Sequence, residues 1–307
     1  MNVVARLVLA WLWALSWLPL AVQAAIGRCL GRLLWVLAGS RKRVALRNLE
    51  LTMPEKSAEE RRAIAYENFQ WIARSFLERG LLWYASPERL RRLIHVEGDP
   101  GFAEREPGAV MWLAPHFVAL DVAGQATQLF QNRPVGSIYQ KQSIEAFDKA
   151  IRKGRVRFGN GDIYSRHEKA LPLIRAIRKG VAFFNLPDMD FGEQDAVFVP
   201  FMGVPAATLT APSKMARSLK MKVQPVLAEM LPGGQGYRVR FMEPWTDFPT
   251  DDPVADAARM NEWIASEVRR NPSQYYWVHK RFKTRPDRKS TRLNSSHYRR
   301  SRMPSSA

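Results

Sequence analysis

Apolar positions fall into two regimes along the chain. From Leu7 to Ile26, "LVLAWLWALSWLPLAVQAAI", they run almost unbroken; beyond Arg47 they come in short bursts between amphipathic stretches. The first regime is long enough for a bilayer-crossing helix, for which roughly 20 residues suffice. Pro19 would kink such a helix without forbidding it in lipid. Arg6 alone precedes the run, whereas Arg28, Arg32, Arg41, Lys42, Arg43 and Arg47 follow it, and positive charge stays on the cytoplasmic side. A retained anchor is therefore expected, rather than a signal peptide cleaved after Val22-Gln23-Ala24. A bent hairpin over residues 7–37, lying in the interface, is the other arrangement open to it.

The second regime predicts alternating helices and strands. Ser57 and Glu60 have the spacing of a capping box, and the helix they open sets Ala65, Phe69, Ile72 and Phe76 on one face. "GAVMWLA" (108–114), "PVGSIY" (134–139) and "GVAFFNL" (180–186) are short apolar runs after Gly or Pro, as buried strands should be. Helical stretches lie near 117–131, 143–154 and 167–179. Then come the strands "DAVFVPF", "KVQPVLAEM" and "YRVRFMEP", the last two joined by "LPGGQG". Asp252-Pro253 starts a final helix that Asn271-Pro272 stops. Such alternation predicts a single α/β domain with a largely parallel sheet behind the N-terminal transmembrane or interfacial helix. The expected division is an anchor over 1–40, a domain over 41–286 and a tail over 287–307.

Charge changes the picture. The chain has 47 Lys+Arg against 29 Asp+Glu, a net +18, which should attract polyanions. Part of that excess belongs to "RKSTRLNSSHYRRSRMPSSA" (288–307). This stretch has six basic and no acidic residues, and without it the net charge is +12. It lacks periodicity and aliphatic content, so disorder and an origin foreign to the fold are expected. One cysteine, Cys29, excludes an internal disulfide. No G-x-S-x-G elbow is present, and His167-Glu168 fails as H-E-x-x-H because position 171 is Leu. "FGNGD" lacks a Walker lysine and is expected to be a turn. No nucleic-acid module is evident, and no metal site is expected.

Two constellations remain. In "APHFVALD", His116 follows a strand end and Asp121 stands five residues on. With five histidines in the chain, about half an H-x4-[DE] match arises by chance, so context must carry the signal. The carboxyl edge of a parallel sheet supplies that context. Residues five apart do not share a helix face. If His116 lies outside the first turn, however, Asp121 can reach back to one ring nitrogen and leave the other as a base. In "NLPDMDFG", Asp188 and Asp190 sit on a loop at the same predicted edge. The cations Arg152, Lys153, Arg155, Arg157 and Arg166 form either a solvated face or a phosphate-binding patch.

"APHFVALD", "LPDMDFG", "VFVPFMGVPAAT" and "YYWVHKRFKTRP", in this order and spacing, resemble the bacterial late lipid A acyltransferases, a branch of the H-x4-D/E lysophospholipid acyltransferase superfamily. The resemblance runs from the N-terminal segment to about Pro286. It implies an inner-membrane enzyme, single-pass or monotopic, with its catalytic domain on the cytoplasmic side. It also implies transfer of a fatty acyl chain from an acyl-carrier-protein thioester, or acyl-CoA, to a hydroxyl of a lipid A precursor. His116 and Asp121 match the catalytic pair, and Lys141, Arg155, Arg166, Asp188 and Asp190 are the expected substrate-binding residues. Where the family often has Tyr-Arg-Pro, this chain has Tyr139-Gln140-Lys141, so that Lys141 offers the missing cation one position on, as a point charge in place of a fork. No cofactor is implied, since the thioester is a co-substrate. The implied partners are acyl carrier protein, a phosphorylated glycolipid and the anionic inner-membrane leaflet, with no nucleic acid. Other acceptors, such as a lysophospholipid or a mannosylated or ornithine lipid, and a non-enzymatic basic membrane scaffold are the rival readings.

Overall fold

The structure is a computed structural model that describes residues 3–159, 161–166 and 170–286. The 287–307 tail and His167-Glu168 lie outside the described residues. Five helices come first: α1 (Val3–Ser16), α2 (Leu20–Leu37), α3 (Gly39–Thr52), α4 (Ala58–Tyr84) and α5 (Pro87–Leu93). Strand and helix then alternate through β1 (Ile94–Gly98), α6 (Phe102–Arg105), β2 (Val110–Leu113), α7 (Leu120–Leu129), β3 (Val135–Tyr139), α8 (Glu145–Arg155), β4 (Asp162–Ser165), α9 (Leu171–Arg178) and β5 (Ala182–Asn185). The remainder comprises the hairpin β6 (Ala196–Phe201) and β7 (Val204–Leu209), α10 (Ala211–Ser218), β8 (Lys222–Met230), β9 (Tyr237–Phe241) and α11 (Pro253–Arg270).

The main sheet runs β1-β9-β8-β2-β5-β3-β4, and its β8–β9 pair alone is antiparallel among the described strands. This is the largely parallel α/β domain that the alternation predicts. All four residues of β2 are buried, because helices cover both sides of a parallel sheet. The indole of Trp112 meets its polar requirement inside, donating to Gln224 Oε1 at 3.0 Å. Strands β2 and β5 are neighbours, with Leu113 opposite Asn185. Their carboxyl ends therefore deliver two loops, 114–119 and 186–192, to one place.

Helix α4 is the long strut beside those loops. Its capping box forms: Glu60 N–H donates to Ser57 Oγ at 3.1 Å, and Ser57 N–H donates to Glu60 Oε2 at 2.7 Å. Ala65 and Phe69 are buried as expected, but Phe76 is 39% exposed because it faces an open cleft.

The apolar N-terminus corrects the expectation of one helix over 7–26. It is two helices, broken at Trp17–Pro19, because proline at the N-cap of α2 takes extended backbone (φ −54°, ψ 143°) and cannot continue α1. Helix α2 is by itself long and apolar enough to cross a membrane. One stripe of it, Leu20, Gln23, Ala24, Gly27, Gly31 and Trp35, is buried. Close approach to α4 requires glycine: a Cβ on Gly31 would stand 2.3 Å from Gln70 Cα, and one on Gly80 2.1 Å from the Leu12 carbonyl oxygen. The outer faces stay apolar, exposing Val3, Leu7, Trp11, Trp13, Trp17, Leu33, Val36 and Leu37.

Candidate active site

His116 sits between the end of β2 and the start of α7, outside the helix. Its carbonyl accepts from Tyr276 N–H at 2.9 Å, and Val118 N–H donates to the Gln274 carbonyl at 2.8 Å. The residues after α11 thus lie against the histidine loop. Two asparagines hold them in turn. Asn48 Nδ2 reaches the carbonyls of Trp277 and His279, both at 2.7 Å. Asn68 Nδ2 reaches those of Ser273 and Tyr275, at 2.7 and 2.6 Å.

The carboxylate that engages the ring is Asp188. Its Oδ1 lies 2.6 Å from His116 Nδ1, and its Oδ2 accepts from the His116 backbone N–H at 2.9 Å. Burial alone would raise the pKa of Asp188. The facing imidazole, both hydrogen bonds and the Arg281 cation behind outweigh burial and hold the carboxyl below its ordinary value. An ionised carboxylate only accepts, so Nδ1 carries the proton and donates it to Asp188. Nε2 then keeps its lone pair on the side away from Asp188. Arg281 is itself anchored, 1% exposed, donating to the carbonyl of Ala207 and to Thr208 Oγ1 and Asn261 Oδ1.

Asp121 does not reach the ring, which corrects the expected His116–Asp121 contact. Helix α7 begins at Leu120, so Asp121 already lies within its first turn and points toward α4 and α8. Arg79 Nε donates to its Oδ2 at 2.9 Å; Arg155 Nε and Nη2 donate to its Oδ1 at 3.1 and 2.8 Å. Burial would raise this carboxyl, but Arg155 and then Arg79 overcome it and push it far below the usual carboxylate range.

Asp190 also departs from its expected place facing substrate. It is 2% exposed, and its oxygens accept from Gly192 N–H at 3.0 Å and from Thr284 N–H and Oγ1, each at 2.8 Å. Asp188, 1% exposed, is likewise closed to substrate by its own contacts. Asp190 N–H donates to His279 Nε2 at 3.2 Å. Burial first, then the positive influence of His116 and Arg281, pushes the His279 imidazole down to about 4.

A depressed histidine has a definite linkage sign. Above pH 6.5 neither the folded nor the unfolded chain carries this proton. As pH falls from 6.5 to about 4, the unfolded chain gains a proton that the folded one resists, and stability is lost. Urea midpoints measured from pH 7.5 to 4 should therefore fall. His279→Gln, which retains an acceptor for Asp190 N–H, should flatten that decline.

His116, Asp121, Arg155 and Arg166 line one cleft of about 820 Å³, together with Arg79 and many apolar side chains such as Trp83, Phe184 and Leu186. Arg166 lies exposed against the face of Phe191, 4.4 Å from its ring centre. Lys141 is exposed and outside the cleft lining, to which its neighbours Tyr139, Gln140 and Gln142 belong. Among the described residues no group of three or more His, Cys, Asp or Glu side chains is placed to hold a metal ion. Arg79, Tyr275, His279, Arg281 and Thr284 were not singled out as site residues from sequence. "YYWVHKRFKTRP" contains four of them, and its density of polar groups after a helix stop was the available signal. Arg79 had none.

Residues 2–284 match the family described as bacterial lipid A biosynthesis acyltransferase. The chain belongs to this family. Within the family's curated members, it is 31% identical over 279 residues to the lipid A biosynthesis palmitoleoyltransferase of Escherichia coli K12, covering 90% of this chain and 89% of that protein. It is 30% identical over 279 residues to the lipid A biosynthesis lauroyltransferase of the same organism, covering 90% of each. A lipid A biosynthesis acyltransferase of Haemophilus influenzae is 31% identical over 294 residues, covering 93% of each. Membership in the lipid A biosynthesis acyltransferases makes the chain an O-acyltransferase. A solved structure of the 1-acyl-sn-glycerophosphate acyltransferase of Thermotoga maritima overlays with a TM-score of 0.38 at 15% identity, over 82% of this chain and 99% of that one.

Proposed function

We propose that the protein transfers a fatty acyl chain from an acyl-carrier-protein thioester, or acyl-CoA, to a hydroxyl of a lipid A precursor, with His116 as general base. The observation that carries this is the Asp188–His116 contact at 2.6 Å on the wall of a large, mostly apolar cleft. A sugar hydroxyl is too weakly acidic to attack a thioester unaided. Nε2 of His116 accepts its proton as the oxygen bonds to the thioester carbon, and Asp188 stabilises the imidazolium. The tetrahedral oxyanion then collapses, the C–S bond breaks, and the imidazolium returns the proton to the thiolate. The product is an ester and a free thiol. Leu120, Phe184 and Leu186 give the acyl chain an apolar wall.

The lipid acceptor accounts for the apolar outer face of α1 and α2. With α2 bound along α4, these helices are proposed to seat the domain on the cytoplasmic face of the inner membrane. The positive charge following the apolar segment suits an anionic leaflet and an acidic carrier protein.

The test offers the protein a phosphorylated lipid A precursor in anionic vesicles, with acyl-carrier-protein and CoA thioesters supplied separately. The protein should float with the vesicles, and mass spectrometry should show the precursor enlarged by one acyl chain with equivalent release of thiol. Intact precursor and thioester with both donors would reject this acceptor and favour another lipid hydroxyl.

A further inference from the structure

Some arginines of this fold spend their donors on backbone carbonyls. Arg133 gives four hydrogen bonds, to the carbonyls of Gly180, Ala103, Glu106 and Gly108. Arg157 gives both Nη groups to the carbonyls of Leu82 and Ala85. Arg79 and Arg155 instead share one carboxylate on the cleft wall. Both engage Asp121, but Nη1 and Nη2 of Arg79 and Nη1 of Arg155 make no hydrogen bond among the described residues. Both side chains line the cleft and are about one-third exposed, 32% and 29%.

Charge points the same way. One guanidinium would neutralise Asp121; the second leaves the cluster positive. Arg166 adds a further cation, and Asp121 is the only carboxylate among the described residues lining the cleft. Ile72, Phe76, Trp83 and Phe184 share that lining. An anion entering the cleft would therefore meet net positive charge beside apolar surface. The two free Nη groups of Arg79 and the one of Arg155, on separate helices α4 and α8, suit a tetrahedral oxyanion with several acceptors rather than a single carbonyl oxygen.

We infer that Arg79 and Arg155, held side by side by Asp121, grip a phosphate ester of the substrate, with Asp121 as a positioning residue. The inference rests on the acyl-transfer reading for its substrate. Two sources carry that chemistry: a phosphate monoester on the glycolipid acceptor, and the phosphodiester linking pantetheine to its carrier.

Phosphate binding can be tested without turnover. Thermal unfolding of the full chain in detergent is compared in inorganic phosphate and in chloride at equal ionic strength. The parent should unfold at higher temperature in phosphate, and Arg79→Gln should lose that rise. Should Arg79→Gln fail to fold, Arg79→Lys, which keeps the charge but not the fork, should show a diminished rise. No rise in the parent, or an undiminished rise in the variant, would overturn the grip.

Kinetics then distinguish the sources. One arm pairs the phosphorylated acceptor with its dephosphorylated form; the other pairs an acyl-4′-phosphopantetheine thioester with the acyl-pantetheine thioester. In one arm, phosphate removal should raise KM of the parent by about tenfold, the scale of one hydrogen bond to a charged group, and leave KM of Arg79→Gln nearly unchanged. Equal penalties for parent and variant in both arms would also reject the inference. Absence of turnover in every arm would count against the proposed reaction alone, since phosphate binding is read separately.

Discussion

His116→Ala is expected to lower kcat by about 10²–10⁴, the usual loss when a general base is removed, with the fold retained. In the proposed reaction the substitution removes the group that accepts the hydroxyl proton, and among the described residues lining the cleft His116 is the only histidine. Folding should survive because the backbone N–H at position 116 still donates to Asp188 and the carbonyl still accepts from Tyr276. The ring itself is 17% exposed, so its deletion opens space toward the cleft rather than the core. Single-turnover rates with saturating acceptor, alongside circular dichroism, would check both halves. A variant that turns over at nearly the parental rate removes His116 from the chemistry.

Asp188→Asn should damage kcat on a similar scale, about 10²–10⁴, by a different route. An amide placed at Asp188 can donate to Nδ1, which favours the tautomer with its proton on Nε2 and leaves the base without a lone pair where the hydroxyl must lie. The imidazolium would also lose its counter-charge. Asp121→Asn serves as the contrast. Because Asp121 contacts Arg79 and Arg155 and not the ring, its main effect should fall on KM, with kcat changed much less. The reverse pattern, kcat lost at Asp121 and spared at Asp188, would show that the ring works with Asp121 after all. Both variants need only initial rates over a range of acceptor concentrations.

The pattern of apolar bursts disclosed much of the fold because buried parallel strands are short and apolar on both faces. β2, β3 and β5 announce themselves in that way, and α4 and α11 through their N-caps and stops. β1 is different: of "IHVEG" only Ile94 is fully buried, so no burst marks it. The two-helix N-terminus was hidden because proline is tolerated in a membrane helix, and the apolar run alone does not say that one stripe is needed against α4. His116 was legible from its place after a strand. Its partner was not, because a contact 72 residues away leaves no trace in local spacing, whereas a carboxylate five residues away looks like an answer. Arg79 was invisible for a simpler reason: on an amphipathic helix, a cation facing a cleft looks like one facing water.

The strap after α11 also sets an order of events during synthesis. Asp190 is fastened to Thr284, and the peptide carrying His116 to Gln274 and Tyr276. On the ribosome, α1 and α2 emerge ahead of the sheet, while most of the domain is still unmade. The histidine loop and then the aspartate loop follow, each made before the residues that fasten it. Only when residues 271–284 have been released can the pocket wall close. A nascent chain would therefore expose its apolar helices long before its site could close, and a message cut short within those last turns would yield a chain with those helices made and the histidine loop unfastened.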